Sequence, residues 1–301
     1  MAAGDRVTTP GHIQYGDELL LGPGTPFRWR SLSGWEELPA LDSGSVNRSD
    51  AHGSYPGRLL AQPRMITVDD VIVRAPAATI GTTLSALNAA TPVVDAELPL
   101  VVWLDERGPL LAGARVVRRA VPVGIGFRVG TITGAAIQWE ASDPRRYALV
   151  EQQVETRLPM AEAGLDWHLD PGPEHLAYPL VFGEPGSTGT VVARNEGDAL
   201  THPLISFRGP VALPSITNLR TGDVLEYDIE LAADDTLLVD TAAGTVTLNR
   251  TASRLYTATA RSVPENTFTL APGTASLSFR AAPGSVDPRA SCSIRWRSAY
   301  W

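Results

Sequence analysis

Val224-Leu225-Glu226-Tyr227-Asp228-Ile229-Glu230-Leu231 alternates apolar and acidic residues without a break after its first position. Successive side chains of a strand point to opposite faces, so Leu225, Tyr227, Ile229 and Leu231 share one face. Glu226, Asp228 and Glu230 share the other. The pattern predicts a half-buried antiparallel strand with an acidic outer face. Neighbouring segments extend the reading. Thr190-Val191-Val192 opens a strand and Leu200 to Phe207 follows. Thr236 to Asp240 and Thr245 to Asn249 flank Ala242-Ala243-Gly244, a hairpin turn. Phe268 to Leu270 and Ala275 to Phe279 are joined across Pro272-Gly273. Short strands separated by turn signals predict a β-sandwich of jelly-roll type.

The first half is also mainly β. Met65 to Arg74 is rich in β-branched residues, interrupted by Asp69-Asp70. Leu98 to Leu104 and Leu110 to Arg119 read as strands joined by the turn Arg107-Gly108-Pro109, and Ile132 to Glu140 closes the block. Thr79 to Asn88 is the one convincing helix: Ile80, Leu84 and Leu87 fall on one face, Thr79 is placed to cap it, and Thr91-Pro92 stops it. Strands with one helix predict a small barrel or sandwich with the helix packed against it. The apolar pieces Leu19 to Leu21 and Phe27 to Trp35 read as exposed loop segments that a neighbouring subunit would cover. The expected division is a first domain over 1–150, a proline-punctuated linker over 151–188 and a second domain over 189–301.

Composition narrows the function. With 27 glycines and 24 prolines in 301 residues, turns and short strands are favoured over long helices. The 33 acidic and 25 basic residues, the latter all arginine, leave a net charge of −8. That balance argues against specific nucleic-acid binding, which needs a basic surface. Cys292 stands alone, so no intrachain disulfide is expected, and a buried thiol is the simple reading. No apolar run is long enough for a membrane-spanning helix, and residues 1–11 lack the apolar core of a signal peptide.

Catalysis would need a nucleophile, base or metal constellation. The histidines His12, His52, His168, His175 and His202 are scattered. Asp166, His168 and Asp170 would share one face of an extended segment, but they read as a solvated face of the linker. Gly124 to Gly130 lacks the glycine spacing of a dinucleotide loop. The carboxylates Glu226, Asp228, Glu230, Asp234, Asp235 and Asp240 offer material for a glycosidase pair, yet outer acidic positions mainly keep a strand soluble. Asn47-Arg48-Ser49 and Asn249-Arg250-Thr251 match the glycosylation pattern, which carries no meaning without secretion. Trp29, Trp35, Trp103, Trp139, Trp167, Trp296 and Trp301 read as core or interface more than as a sugar platform. The last two lie in Ser293 to Trp301, expected as one strand with Ile294, Trp296 and Ser298 on one face and Arg295 and Arg297 on the other. No catalytic residue, cofactor or metal is therefore expected.

Three ordered motifs resemble a known family, the distal tail proteins of long-tailed phages (siphovirus tail components). The first is Ile137 to Tyr147, with Asp143, Pro144, Arg145 and Tyr147 in its closing turn. The second is Asn195-Glu196-Gly197 followed by Pro203 to Gly209. The third joins Asp240-Thr241, the strand Thr245 to Asn249, and Pro272-Gly273. The strand departs from the family's pattern, since Arg250 stands where a glycine usual follows the asparagine. The resemblance implies a tail-tube-like β-barrel with a flanking helix, then a galectin-like jelly-roll β-sandwich. It also implies a virion protein assembled in the host cytoplasm. Six copies would form a ring between the tail tube protein and the tail-tip hub protein, through which DNA passes, with the tape measure and receptor-binding proteins as further neighbours. The alternatives are a carbohydrate-binding β-sandwich module for host-surface attachment and a β-sandwich glycoside hydrolase.

Overall fold

A computed structural model describes residues 2–161 and 186–301 of the chain. Two compact units emerge: Met1–Val150 with Ala299–Trp301, and Glu151–Ser298.

The first unit begins with four short strands: β1 (His12–Tyr15), β2 (Leu19–Leu21), β3 (Phe27–Arg28) and β4 (Ser31–Ser33). Two small ribbons follow, pairing β5 (Leu41–Asp42) with β8 (Leu60–Ala61) and β6 (Val46–Asn47) with β7 (Ser54–Tyr55). Then come β9 (Arg64–Arg74), helix α1 (Ile80–Ala90), β10 (Leu98–Trp103), β11 (Leu110–Ala120), β12 (Thr131–Ala141) and β13 (Arg146–Ala148). The main sheet runs β2-β1-β10-β11-β12-β9-β3 and curls into a nearly closed barrel. Its two ends are linked where the Gly22 amide donates to the Phe27 carbonyl at 2.8 Å.

Alternation decides the interior. Ile66, Val68, Val71 and Val73 of β9 are fully buried against Ile132, Ile137 and Trp139 of β12. The Asp69-Asp70 interruption is a bulge: Asp70 has φ 55° and the β9–β12 register slips there, so Val71 returns to the core face. Ile80 and Leu87 bury one face of α1 in the same core. Thr79 precedes the helix but donates its hydroxyl to the Pro76 carbonyl and caps nothing. Leu19, Leu21, Phe27 and Trp35 are buried here, contrary to the expectation that they form an exposed subunit contact. Two-residue strands give too little alternation to show which side faces inward.

The second unit holds β14 (Gln152–Arg157), β15 (Thr190–Asn195), β16 (Leu204–Arg208), β17 (Val211–Ala212), β18 (Ser215–Asn218), β19 (Val224–Glu226), β20 (Glu230–Leu231), β21 (Thr236–Asp240), β22 (Thr245–Leu248), β23 (Ala252–Ser253), β24 (Gly273–Arg280) and β25 (Ser291–Trp296). One sheet is β14-β25-β16-β21-β22-β23 and a second is β15-β24-β18-β19, with β17 and β20 as a separate pair. Between the sheets lie Phe207, Tyr227, Phe268, Phe279, Leu237, Ile294 and their neighbours. The Phe207 ring meets Tyr227 edge-on at 6.2 Å and Phe279 at 5.8 Å. This is the mainly β, barrel-plus-sandwich architecture that the alternation implied.

Three local expectations change. Residues 152–157, expected in the linker, form β14 and pair along their whole length with β25. Val224 to Leu231 is two strands, because β19 pairs with β18 and β20 with β17. Glu226, expected on the exposed outer face, is instead covered by the segment that carries Thr259 and Arg261, from which it takes hydrogen bonds. The closing strand also divides: β25 completes the sandwich, while β26 (Ala299–Tyr300) pairs with β13 in the first unit.

Candidate functional site

The most elaborate polar arrangement in the first unit surrounds Arg64, the first residue of β9. Its side chain is 1% exposed. A buried guanidinium is tolerated only where its donors find acceptors. Arg64 Nη1 donates to the carbonyls of Gly34, Trp35 and Glu37 at 2.9, 3.0 and 2.7 Å, and Nε donates to that of Pro144 at 2.6 Å. Burial, then the neighbouring Arg146 charge, hold its pKa down at about 10, while Glu36 and Glu37 oppose the shift. Gly34 makes the close approach possible. It has φ 76°, and a Cβ there would stand 1.8 Å from the Met65 carbonyl oxygen.

Arg146 forms the second tier. It lies 5.8 Å from the Trp35 ring and donates to Glu36 at 2.7 Å and to the Trp301 carbonyl. Glu36 also accepts from Arg107 at 3.1 Å. Next to it, Asp143 accepts from Arg145 Nε and Nη2 at 2.8 Å and from the Tyr147 hydroxyl at 2.6 Å. Burial pushes the Asp143 carboxyl up, but the Arg145 and Tyr147 hydrogen bonds outweigh this and hold its pKa below the usual carboxylate range. Desolvation, reinforced by Asp143, raises the Tyr147 phenol.

This clamp fixes both ends of an arm over residues 38–62. The arm consists of the ribbons β5/β8 and β6/β7, neither of which joins the main sheet. It exposes Leu38, Val46, Tyr55, Leu59 and Leu60, each more than half accessible. Exposed apolar residues grouped on and beside strand ribbons are a docking feature. A second apolar group lies on the loops after α1 and β11, where Val93, Val123, Ile125 and Val129 are exposed.

The motif residues of the second unit also hold turns. Asn195 donates to the Ala199 and Leu270 carbonyls and accepts from the Gly197 amide. Thr241 donates to the Pro203 carbonyl at 2.7 Å. Asp240 accepts from the amides of Ala242 and Ala243 at 2.9 Å. Gly273 takes φ 92°, and the Pro272 carbonyl accepts from Arg220. None of these residues converges on a common reaction centre.

Of the catalytic candidates, Asp228, Glu230 and Asp234 are exposed, and others hold local structure. Asp235 holds Asn249 and Ala232, Asp240 holds its turn, and Glu226 holds Thr259 and Arg261. His12 is buried between the Thr8 amide and the Pro23 carbonyl, whereas His52 is exposed. The 124–130 segment forms a 3-10 turn over Ile125–Val129. No cluster of three metal-ligating side chains occurs among the described residues. Asp166, Trp167, His168, Asp170 and His175 lie outside the described residues. Trp139 is core and contacts Tyr15, Trp296 is buried in the sandwich, and Trp301 is partly exposed. Cys292 is buried, and burial raises its thiol pKa.

Residues 196–300 match the family described as "Siphovirus-type tail component, C-terminal domain". No curated protein is a significant match to the chain. Among solved structures, the Dit protein of phage SPP1, described as a paradigm of the hub adsorption apparatus in phages infecting Gram-positive bacteria, is similar in fold. The TM-score is 0.65 at 13% identity, covering 96% of this chain and 99% of that one. A chain of the phage P2 baseplate in its activated, Ca-containing conformation gives 0.52 at 11% identity, covering 94% and 97%. The matched segment is preceded by the first unit, and the likeness in fold to SPP1 Dit spans both.

The sequence reading missed the Arg64 clamp and the arm. An arginine opening a β-branched run was the available signal for the first. The arm gives no strand signal because its two-residue strands leave no period to detect.

Proposed function

We propose that the protein is a structural, non-enzymatic distal tail protein of a phage virion. Six copies form a ring through the first unit. The ring joins the tail tube protein to the tail-tip hub protein, next to the tape measure and receptor-binding proteins, and DNA passes through it. Assembly takes place in the host cytoplasm. The match of residues 196–300 to a tail-component domain carries this reading.

Two physical features support it. The clamped arm gives the first unit an apolar surface that a neighbouring copy would bury. The net charge of −8 suits a channel that repels DNA phosphates rather than trapping them. We assign ring formation to residues 1–150 together with 299–301, and no ring role to residues 189–298.

Electron microscopy of assembled tails tests the assignment. The expected view is a six-fold ring at the distal end, its channel lined by first units. A channel lined by the sandwich units, or absence of the protein from the tail, would overturn it.

A further inference from the structure

The outer face of the six-stranded sheet in the second unit is unusual for a solvated surface. Pairing registers place its outward residues in rows. One row runs Glu155, Ser293, Ser206, Leu238, Thr247 and Ser253. The next holds Arg157, Ser291, Arg208 and Thr236. Long charged side chains normally keep such a face soluble. Here the row through Ser293, Ser206, Leu238 and Thr247 carries hydroxyls and one leucine, while the long side chains Arg208 and Arg295 stand in the rows on either side of it. Ser206, Ser293, Thr236 and Leu238 are consequently only half exposed, although they point outward. They floor a pocket of about 450 Å³ rimmed by Gln153, Asn249, Arg250 and Arg295.

The rim is basic in a chain that is acidic overall. On the rim, Arg250 has no ion-pair partner among the described residues, and neither have Arg157 and Arg208 in the adjacent row. Arg295 approaches Glu151 at 3.6 Å. Of the nearby carboxylates, Asp240 is occupied by turn amides and Asp235 by Asn249. Glu155 is exposed on the edge strand β14, across from Ser293.

Arg250 supplies the second line of argument. Asn249 and Arg250 both adopt left-handed backbone, with φ 52° and 61°. Asparagine tolerates this conformation, whereas arginine does so at a cost that glycine would avoid. Asn249 is fixed there by accepting from the Thr236 amide at 2.9 Å and donating to Asp235 at 2.8 Å. The strained residue is therefore held rigidly, with its side chain on the pocket rim. Strain of this kind concentrates at binding sites.

We propose that this trough binds an anionic carbohydrate. The serine and threonine hydroxyls of the floor meet sugar hydroxyls, and Leu238 lies under the apolar face of the ring. The arginines take a carboxylate or phosphate substituent through charge-assisted hydrogen bonds. The volume falls within the roughly 300–1,000 Å³ of small-molecule sites. This site lies in the second unit and is independent of ring formation.

Calorimetric titration of the full chain distinguishes the sources of the anion. The probes are an oligogalacturonate, a glycerol-phosphate oligomer and a neutral galactan oligomer of equal length. Saturable, salt-weakened binding of one anionic probe is expected, with none of the neutral probe. Arg250→Gly should weaken it by about 10-fold or more, the loss of a charge-assisted hydrogen bond, and Arg295→Gln should weaken it similarly. The Arg250→Gly protein should melt no lower than the parent, which separates lost binding from lost folding. Failure of both anionic probes to bind, equal binding of the neutral one, or indifference to both substitutions would overturn the proposal. The six-fold ring in assembled tails would be unaffected by any of these results.

Discussion

The two units handle arginine in opposite ways. In the first, Arg64 and Arg146 are buried, and each directs two of its three guanidinium nitrogens at carbonyls or at Glu36. In the second, Arg250 stands exposed on the rim of a polar trough, and Arg157 and Arg208 are exposed on the same sheet face. A buried guanidinium ties backbone segments that are distant in sequence, so it serves architecture. An exposed one with no partner retains its capacity for an external anion. The contrast separates a unit built to hold an apolar arm from a unit built to display a surface.

Removing Arg64 should have the largest effect. Arg64→Ala leaves the Gly34, Trp35, Glu37 and Pro144 carbonyls without their donor, and should cost about 3–5 kcal/mol of stability in denaturant unfolding. Arg208→Ala, the same change on the exposed sheet face, should stay within about 0.5 kcal/mol. Equal losses at the two sites would erase the contrast.

A pH experiment sharpens it. The folded-state pKa of Asp143 is depressed, so its stabilising contribution is complete above the unfolded value and is lost as pH falls through the folded one. Between about pH 5 and about pH 3, Asp143→Asn should lose less stability than the parent chain. Parallel curves would show that the Arg145 and Tyr147 bonds contribute nothing to folding.

Smaller effects are expected at the surface. Arg250→Gly should raise stability by about 0.5–1 kcal/mol, because glycine accepts the left-handed backbone that arginine resists. A measured loss would mean that the Arg250 side chain has a structural partner. Smallest of all, the triple change Val46→Ser, Leu59→Ser and Leu60→Ser on the arm should alter thermal stability by no more than about 0.5 kcal/mol, yet abolish ring assembly in tails. Rings that form normally with this variant would place the subunit contact elsewhere.

Legibility in the sequence followed segment length. β9 to β12 run long enough for alternation to show the face, and even the Asp69-Asp70 bulge left a trace. Leu19 to Leu21 and Phe27 to Trp35 misled because three-residue strands look like loops. Val224 to Leu231 misled for another reason: a regular pattern cannot reveal that a strand changes partners midway, or that Thr259 and Arg261 cover Glu226 from outside. The turn residues Asp143, Asn195 and Asp240 were visible as motifs, since their side chains bond to groups within a few positions. Arg64 was not, because its acceptors lie 27 to 80 positions away.

The exchange of terminal strands has a consequence for a nicked chain. Suppose a protease site is engineered between residues 162 and 185 and cut. The upstream fragment still contributes β14 to the sandwich, and the downstream fragment still contributes β26 to the barrel. Each half then carries a piece that the other needs to complete its sheet. The two pieces should migrate separately in denaturing gels and elute as one particle in native buffer, clasped like a buckle and released only on unfolding.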